Sequence, residues 1–169
     1  VRTLKYAEFL RFFTAIQLMR NTDGIRIEKK TKVFSSKKIQ KAIQSLRFEM
    51  TADQRDTLEK ILNDMGSTHT MYRLVQGDVG CGKTVVATLA LYAAYLSGYQ
   101  GAMLAPTEIL ARQHYQSVND VLALFGVKTE VLYSALTPSK KKEILEDVSS
   151  GKIDILIGTH SMIQDTVVF

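Results

Sequence analysis

The run Gly77-Asp78-Val79-Gly80-Cys81-Gly82-Lys83-Thr84 places three glycines ahead of a lysine and a threonine. A glycine has no Cβ, so consecutive backbone N–H groups can turn inward and approach a polyanion closely. The spacing G-x-x-x-x-G-K-T is that of the loop that wraps the phosphates of a nucleotide. The helix that opens near Lys83 adds the positive end of its dipole. Lys83 is placed to reach the β- and γ-phosphates, and the Thr84 hydroxyl to ligate Mg²⁺. These two residues are the candidate catalytic groups, and Gly77, Asp78, Val79, Gly80, Cys81, Gly82, Lys83 and Thr84 together form the candidate phosphate cradle. An ordinary glycine-rich turn has no use for a Lys-Thr pair at that offset.

A loop of this kind is expected between a strand and a helix, and the flanks read as both. Residues 71–76 are a short apolar run that reads as a buried strand. Residues 85–96 are a long apolar run without breakers, closed by Ser97-Gly98, which reads as a buried helix. The alternation continues on both sides. A helix is expected from Thr51 to about Met65 and a strand at 101–105, which Pro106 stops. Thr107 then caps a helix with Glu108 in its first turn. A strand follows near 129–133, and Thr137-Pro138 opens another helix that closes at Ser149-Ser150-Gly151. Residues 153–157 are a further strand. Strands alternating with helices imply an α/β fold with a mainly parallel sheet covered on both faces.

Ahead of this unit, residues 4–20 place Tyr6, Phe9, Leu10, Phe13 and Ile16 at helical spacing, an amphipathic helix ended by Asn21-Thr22-Asp23-Gly24. Residues 26–41 are polar and basic and lead into a short helix near 36–46. That stretch reads as a solvated linker, with a DNA-tracking basic strip as the alternative. The chain therefore divides into a helical connector, residues 1–45, and an α/β unit, residues 46–169.

The 169 residues carry 22 Lys and Arg against 17 Asp and Glu, a surplus that favours a polyanionic partner such as nucleic acid. A single cysteine, Cys81, excludes an internal disulfide framework and a multi-cysteine zinc site. His69, His114 and His160 lack metal-ligand spacing. No apolar run approaches the length of a membrane-spanning helix, so a cytoplasmic protein with no membrane partner is expected.

Two further groups of residues have chemical potential. Thr51 and Gln54 stand at capping-box spacing, so their side chains have a purely structural use at a helix start. Equally, the Gln54 amide can pair with an adenine edge while Phe48 stacks on its face. Pro106, Thr107 and Glu108 follow one strand, and Gly158, Thr159 and His160 follow another. In open α/β sheets ligands bind at the carboxyl ends of the strands. Threonine hydroxyls and turn N–H groups there suit the phosphates of DNA, independently of base sequence.

Taken in order, FEMTADQ, LVQGDVGCGKTVVA, APTEILARQHY and GKIDILIGTHSMIQ resemble the first motor domain of the RecG family, superfamily 2 DNA helicases that remodel stalled replication forks. The KYAEFL segment resembles that family's connector from its DNA-binding wedge domain, so the resemblance covers nearly the whole chain and least of all residues 21–45. It implies a RecA-like P-loop domain that uses ATP and Mg²⁺, with Phe48 and Gln54 recognising adenine. It also implies that Pro106, Thr107, Glu108, Gly158, Thr159 and His160 face DNA. The implied partners are branched or forked DNA, the wedge domain and a second motor domain, in a monomer of the bacterial nucleoid or of an organelle.

Two departures stand out. Tyr133-Ser134-Ala135 occupies the place of the family's Thr-Gly-Ser, which removes a glycine from a DNA-facing turn. No apolar strand ends in an Asp-Glu pair, so the sheet is read as truncated before the Walker-B strand. The chain alone is accordingly expected to bind nucleotide without turning it over. A translocase of the transcription-repair coupling type, a non-helicase P-loop enzyme and a nucleotide-responsive module without catalysis are the alternative readings.

Overall fold

Ile155, Leu156 and Ile157 are consecutive and all fully buried. A strand buries every residue only where its sheet is covered on both faces. The structure, a computed structural model, describes residues 9–14, 30–163 and 167–169. In chain order it contains helices α1 (Ser36–Gln44), α2 (Ala52–Gly66) and α3 (Lys83–Leu96), strand β1 (Gly101–Leu104) and helix α4 (Glu108–Leu122). A 3₁₀ turn at Ala123–Phe125 leads to β2 (Thr129–Leu132), followed by α5 (Pro138–Ser149), β3 (Ile155–Gly158) and a second 3₁₀ turn at His160–Ile163. Residues 9–14 are also helical.

The strands form one parallel sheet in the order β1-β3-β2. Ile155 stands beside Gly101 on one side and Thr129 on the other. Side chains alternate across a strand, and β3 uses both directions. Ile155 and Ile157 join a core with Leu89, Tyr92 and Ala93 of α3, Val118 and Leu122 of α4, Leu58 and Ile61 of α2, and Ile39 of α1. Leu156 joins a second core with Leu132, Ile144 and Val148 of α5, Ile153 and Met162. One face thus carries a thick helical layer and the other mainly α5. Burial raises the phenol pKa of Tyr92 above its ordinary 10.0, with the neighbouring Tyr95 adding to the effect.

The helix starts follow their sequence signals. Thr51 and Gln54 make a complete capping box at α2. Thr107 accepts the Leu110 N–H at 3.2 Å and Thr137 the Lys140 N–H at 3.3 Å. Each such cap stabilises its helix by about 1 kcal/mol.

The expected strand at 71–76 does not form. Its residues run outside any ladder, with Tyr72 100% and Leu74 89% exposed. An apolar run becomes a strand only when its backbone pairs with another strand, and residues 71–76 take no place in the β1-β3-β2 ladder. The expectation of a helix at 4–20 meets the described residues only over 9–14, and residues 1–8, 15–29 and 164–166 lie outside them. No described helix is long and apolar enough to cross a membrane.

Candidate functional site

Gly80 and Gly82 both have φ of +84°, the left-handed region that other residues enter at a cost. They bend the chain so that Gly82 becomes the N-cap of α3, and no side chain caps that helix. The first N–H groups of a helix need an acceptor, and a nucleotide phosphate is one that suits this end of the dipole. Gly82 faces a second constraint, because a Cβ there would strike Nε2 of Gln54. Lys83 folds back over the loop, where its Nζ donates to the carbonyls of Gly77 and Asp78 at 2.7 Å each and lies 3.6 Å from Sγ of Cys81. Val79 projects fully into solvent.

Gln54 performs the capping role that its spacing suggested and makes a second contact that the spacing did not announce. Its Oε1 accepts the Thr51 N–H at 2.9 Å, which closes the capping box. Its Nε2 donates to the Cys81 carbonyl at 2.8 Å, across 27 positions of chain. Helix α2 is thereby tied to the phosphate loop. Beside this link lies a cleft of about 510 Å³ lined by Phe48, Thr51, Gln54, Gly80, Gly82 and Thr84, among others. Phe48 is 53% exposed at the rim of this cleft.

The structure therefore brings Phe48 and Gln54 to the phosphate loop. It also adds residues to which sequence reading gave no site role: Leu46, Glu49, Val85, Thr88, Ser117 and Val121 complete the same cleft. Thr88 lies one helical turn beyond Thr84, to whose carbonyl its hydroxyl donates at 2.8 Å. Ser117 and Val121 sit one turn apart on α4, more than thirty positions from the loop, and no local pattern marks them.

In a parallel sheet the turns after the strands share one edge. Helix α3 runs back to the start of β1, so its N-terminus and the phosphate loop belong to that same edge. Pro106 and Thr107 are exposed there, and Glu108 is half-buried. Gly158 ends β3, where a Cβ would run into the Leu132 carbonyl and the Met162 side chain. Tight packing alone therefore calls for glycine at 158. Thr159 is buried and donates its backbone N–H to the Leu132 carbonyl at 3.2 Å, while His160 is exposed. Lys140, near the start of α5, has its pKa raised chiefly by a hydrogen bond to Glu143. Among the described residues no group of three His, Cys, Asp or Glu side chains forms a metal site.

The sequence profile of the DEAD/DEAH box helicases matches residues 51–168, and the chain belongs to that family. It is 45% identical over 168 residues to the ATP-dependent DNA helicase RecG of Bacillus subtilis, covering 99% of this chain and 25% of that protein. To RecG of Aquifex aeolicus it is 44% identical, covering 94% of this chain and 20% of that protein. The chain thus spans a fifth to a quarter of the length of these relatives. A solved structure of RecG bound to a three-way DNA junction superposes with a TM-score of 0.83 at 41% identity, over 92% of this chain and 21% of that one. A hypothetical ATP-dependent RNA helicase from Sulfolobus tokodaii, 20% identical with a TM-score of 0.58 over 76% of this chain and 35% of that one, shares the fold.

Proposed function

We propose that this chain is the nucleotide-binding part of a RecG-type DNA helicase that couples ATP hydrolysis to movement on branched DNA. The observation that carries the proposal is the start of α3, a helix with no side-chain cap that opens from two left-handed glycines beside Phe48, Gln54 and Lys83. Bound ATP supplies the phosphoanhydride whose cleavage drives movement. Lys83 exchanges its two loop carbonyls for the outer phosphates, and the first N–H groups of α3 hold their oxygens. The Thr84 hydroxyl is a suitable ligand for a phosphate-bound Mg²⁺, a cation that normally takes few protein ligands. Phe48 stacks on the base, and Gln54 reads its edge while transmitting its position to Cys81.

On the same edge, Pro106, Thr107, Glu108, Gly158, Thr159 and His160 make up the DNA-facing turns: exposed Pro106, Thr107 and His160 meet phosphates rather than bases, and buried Gly158 and Thr159 shape the turn beneath them. Residues 1–45 form the connector to a DNA-binding wedge, and residues 46–169 belong to the first motor unit, working in the cytoplasm at the nucleoid. The named activity of the relatives and the junction-bound RecG structure support this reading.

The test is ATP hydrolysis by the full-length protein, titrated with a three-way junction and with linear duplex. The proposal expects the junction to stimulate turnover more strongly than the duplex, and Lys83→Ala to abolish stimulation by both. Equal stimulation by the two substrates contradicts the branched-DNA assignment.

A further inference from the structure

Tyr133, Ser134 and Ala135 form the turn after β2, and each of them is held by a different side chain. The Arg112 guanidinium lies 4.4 Å from the centroid of the Tyr133 ring, which is itself buried. Lys141 Nζ donates to the Ser134 carbonyl at 2.7 Å. The Ala135 N–H donates to Oε1 of Glu108 at 3.2 Å. Glu108 and Arg112 are four residues apart on α4 and therefore share one face of that helix. Two of the three holds thus come from one helix face and reach a turn more than twenty positions away in the chain.

The sign of the charge makes Glu108 informative. On an edge that meets phosphates, a carboxylate is repulsive unless it has another task. Glu108 is half-buried and its oxygen is already engaged by a neighbouring turn. The turn it holds contains no glycine, so it lacks the closest backbone approach to a ligand. What the turn has in its place is fixity. A segment that is ordered before binding loses less conformational entropy when it binds.

We propose that Glu108 and Arg112 are positioning residues that lock the Tyr133–Ala135 turn to helix α4, so that the turns after β1 and β2 meet the nucleic-acid backbone as one rigid surface. This rests on the DNA-motor reading above. Under it Glu108 strengthens DNA binding although its charge opposes it. The two helices that leave these turns, α4 behind Thr107 and α5 behind Thr137, are then fixed relative to one another at their DNA-facing ends.

The experiment is DNA-stimulated ATP hydrolysis by the full-length protein, read as the junction concentration for half-maximal stimulation and, separately, as turnover at saturating junction. Glu108→Ala is expected to raise the half-maximal concentration about tenfold, the scale of one lost charge-assisted hydrogen bond, with saturated turnover within about twofold. Glu108→Gln, whose amide oxygen accepts the same Ala135 N–H, is expected to stay at or below the wild-type concentration. Tyr133→Leu, which removes the ring under Arg112 without changing charge, should raise it about threefold, while Tyr133→Phe should not move it. Tighter binding by Glu108→Ala, as simple charge repulsion predicts, overturns the inference. So does a Glu108→Gln protein as impaired as Glu108→Ala, or no shift in Glu108→Ala. A wild-type protein that DNA does not stimulate sinks the DNA-motor reading itself and the inference with it.

Discussion

The phosphate loop and the Tyr133–Ala135 turn belong to the same edge of the sheet but are built in opposite ways. The loop takes its shape from its own residues: two glycines at φ +84° make the bend, and Lys83 bonds carbonyls five and six positions back. The turn takes its shape from elsewhere, through Glu108, Arg112 and Lys141. Among the described residues the loop's long-range hydrogen bond is that of Gln54 to the Cys81 carbonyl. A site that must wrap a small polyanion is best written in a contiguous peptide whose N–H groups converge. A surface that must grip a long, regular backbone depends on the spacing between turns, and distant contacts set that spacing.

This contrast can be broken at points of decreasing leverage. Gly82→Ala strains the left-handed N-cap and drives a methyl group into the Gln54 amide, so MgADP affinity measured by calorimetry should fall by up to about 30-fold. Gln54→Glu separates the two tasks of that side chain. A glutamate closes the capping box equally well but has no donor for the Cys81 carbonyl. Nucleotide affinity should drop roughly tenfold while the thermal midpoint stays within a degree or two, and a matching loss of stability would show that the two tasks are one. At the other region, Thr137→Ala removes the cap of α5. Denaturant unfolding should report a loss of about 1 kcal/mol with nucleotide affinity unchanged, because that helix packs on the far face of the sheet.

The same contrast explains what the sequence made legible. Lys83, Thr84 and the glycines declare their chemistry in eight residues, and the structure puts the start of α3 at Lys83. The helices and the parallel strands announce themselves through apolar pattern and through Thr, Pro and Gly at their ends, the strands expected at 101–105, 129–133 and 153–157 lying at 101–104, 129–132 and 155–158. Between a structural and a ligand-reading role for Gln54 the spacing could not choose; the side chain caps α2 and also ties it to the loop, a contact that no local pattern announces. The strand expected at 71–76 shows the limit of apolar pattern, since a ladder needs a neighbour and composition does not supply one. Ser117 and Val121 in the cleft, and Glu108 on Ala135, depend on how α4 lies across the sheet, which no short window of sequence contains. Gly158 carries the reverse lesson: its place after a strand suggests a ligand, while the Leu132 carbonyl already excludes any side chain there.

The central claim is that the octapeptide Gly77–Thr84 is an assembled nucleotide site. Its most direct test is equilibrium binding of MgADP by this chain and by Lys83→Ala, followed together with thermal unfolding. At a ligand concentration a hundred times the dissociation constant, the wild-type chain should gain about 2.7 kcal/mol, a rise in midpoint of roughly 5 to 11 °C. Lys83→Ala should lose that rise while unfolding near the unliganded wild-type midpoint. A cooperative transition that MgADP leaves unmoved in the wild-type chain, or moves equally in both proteins, would contradict the account.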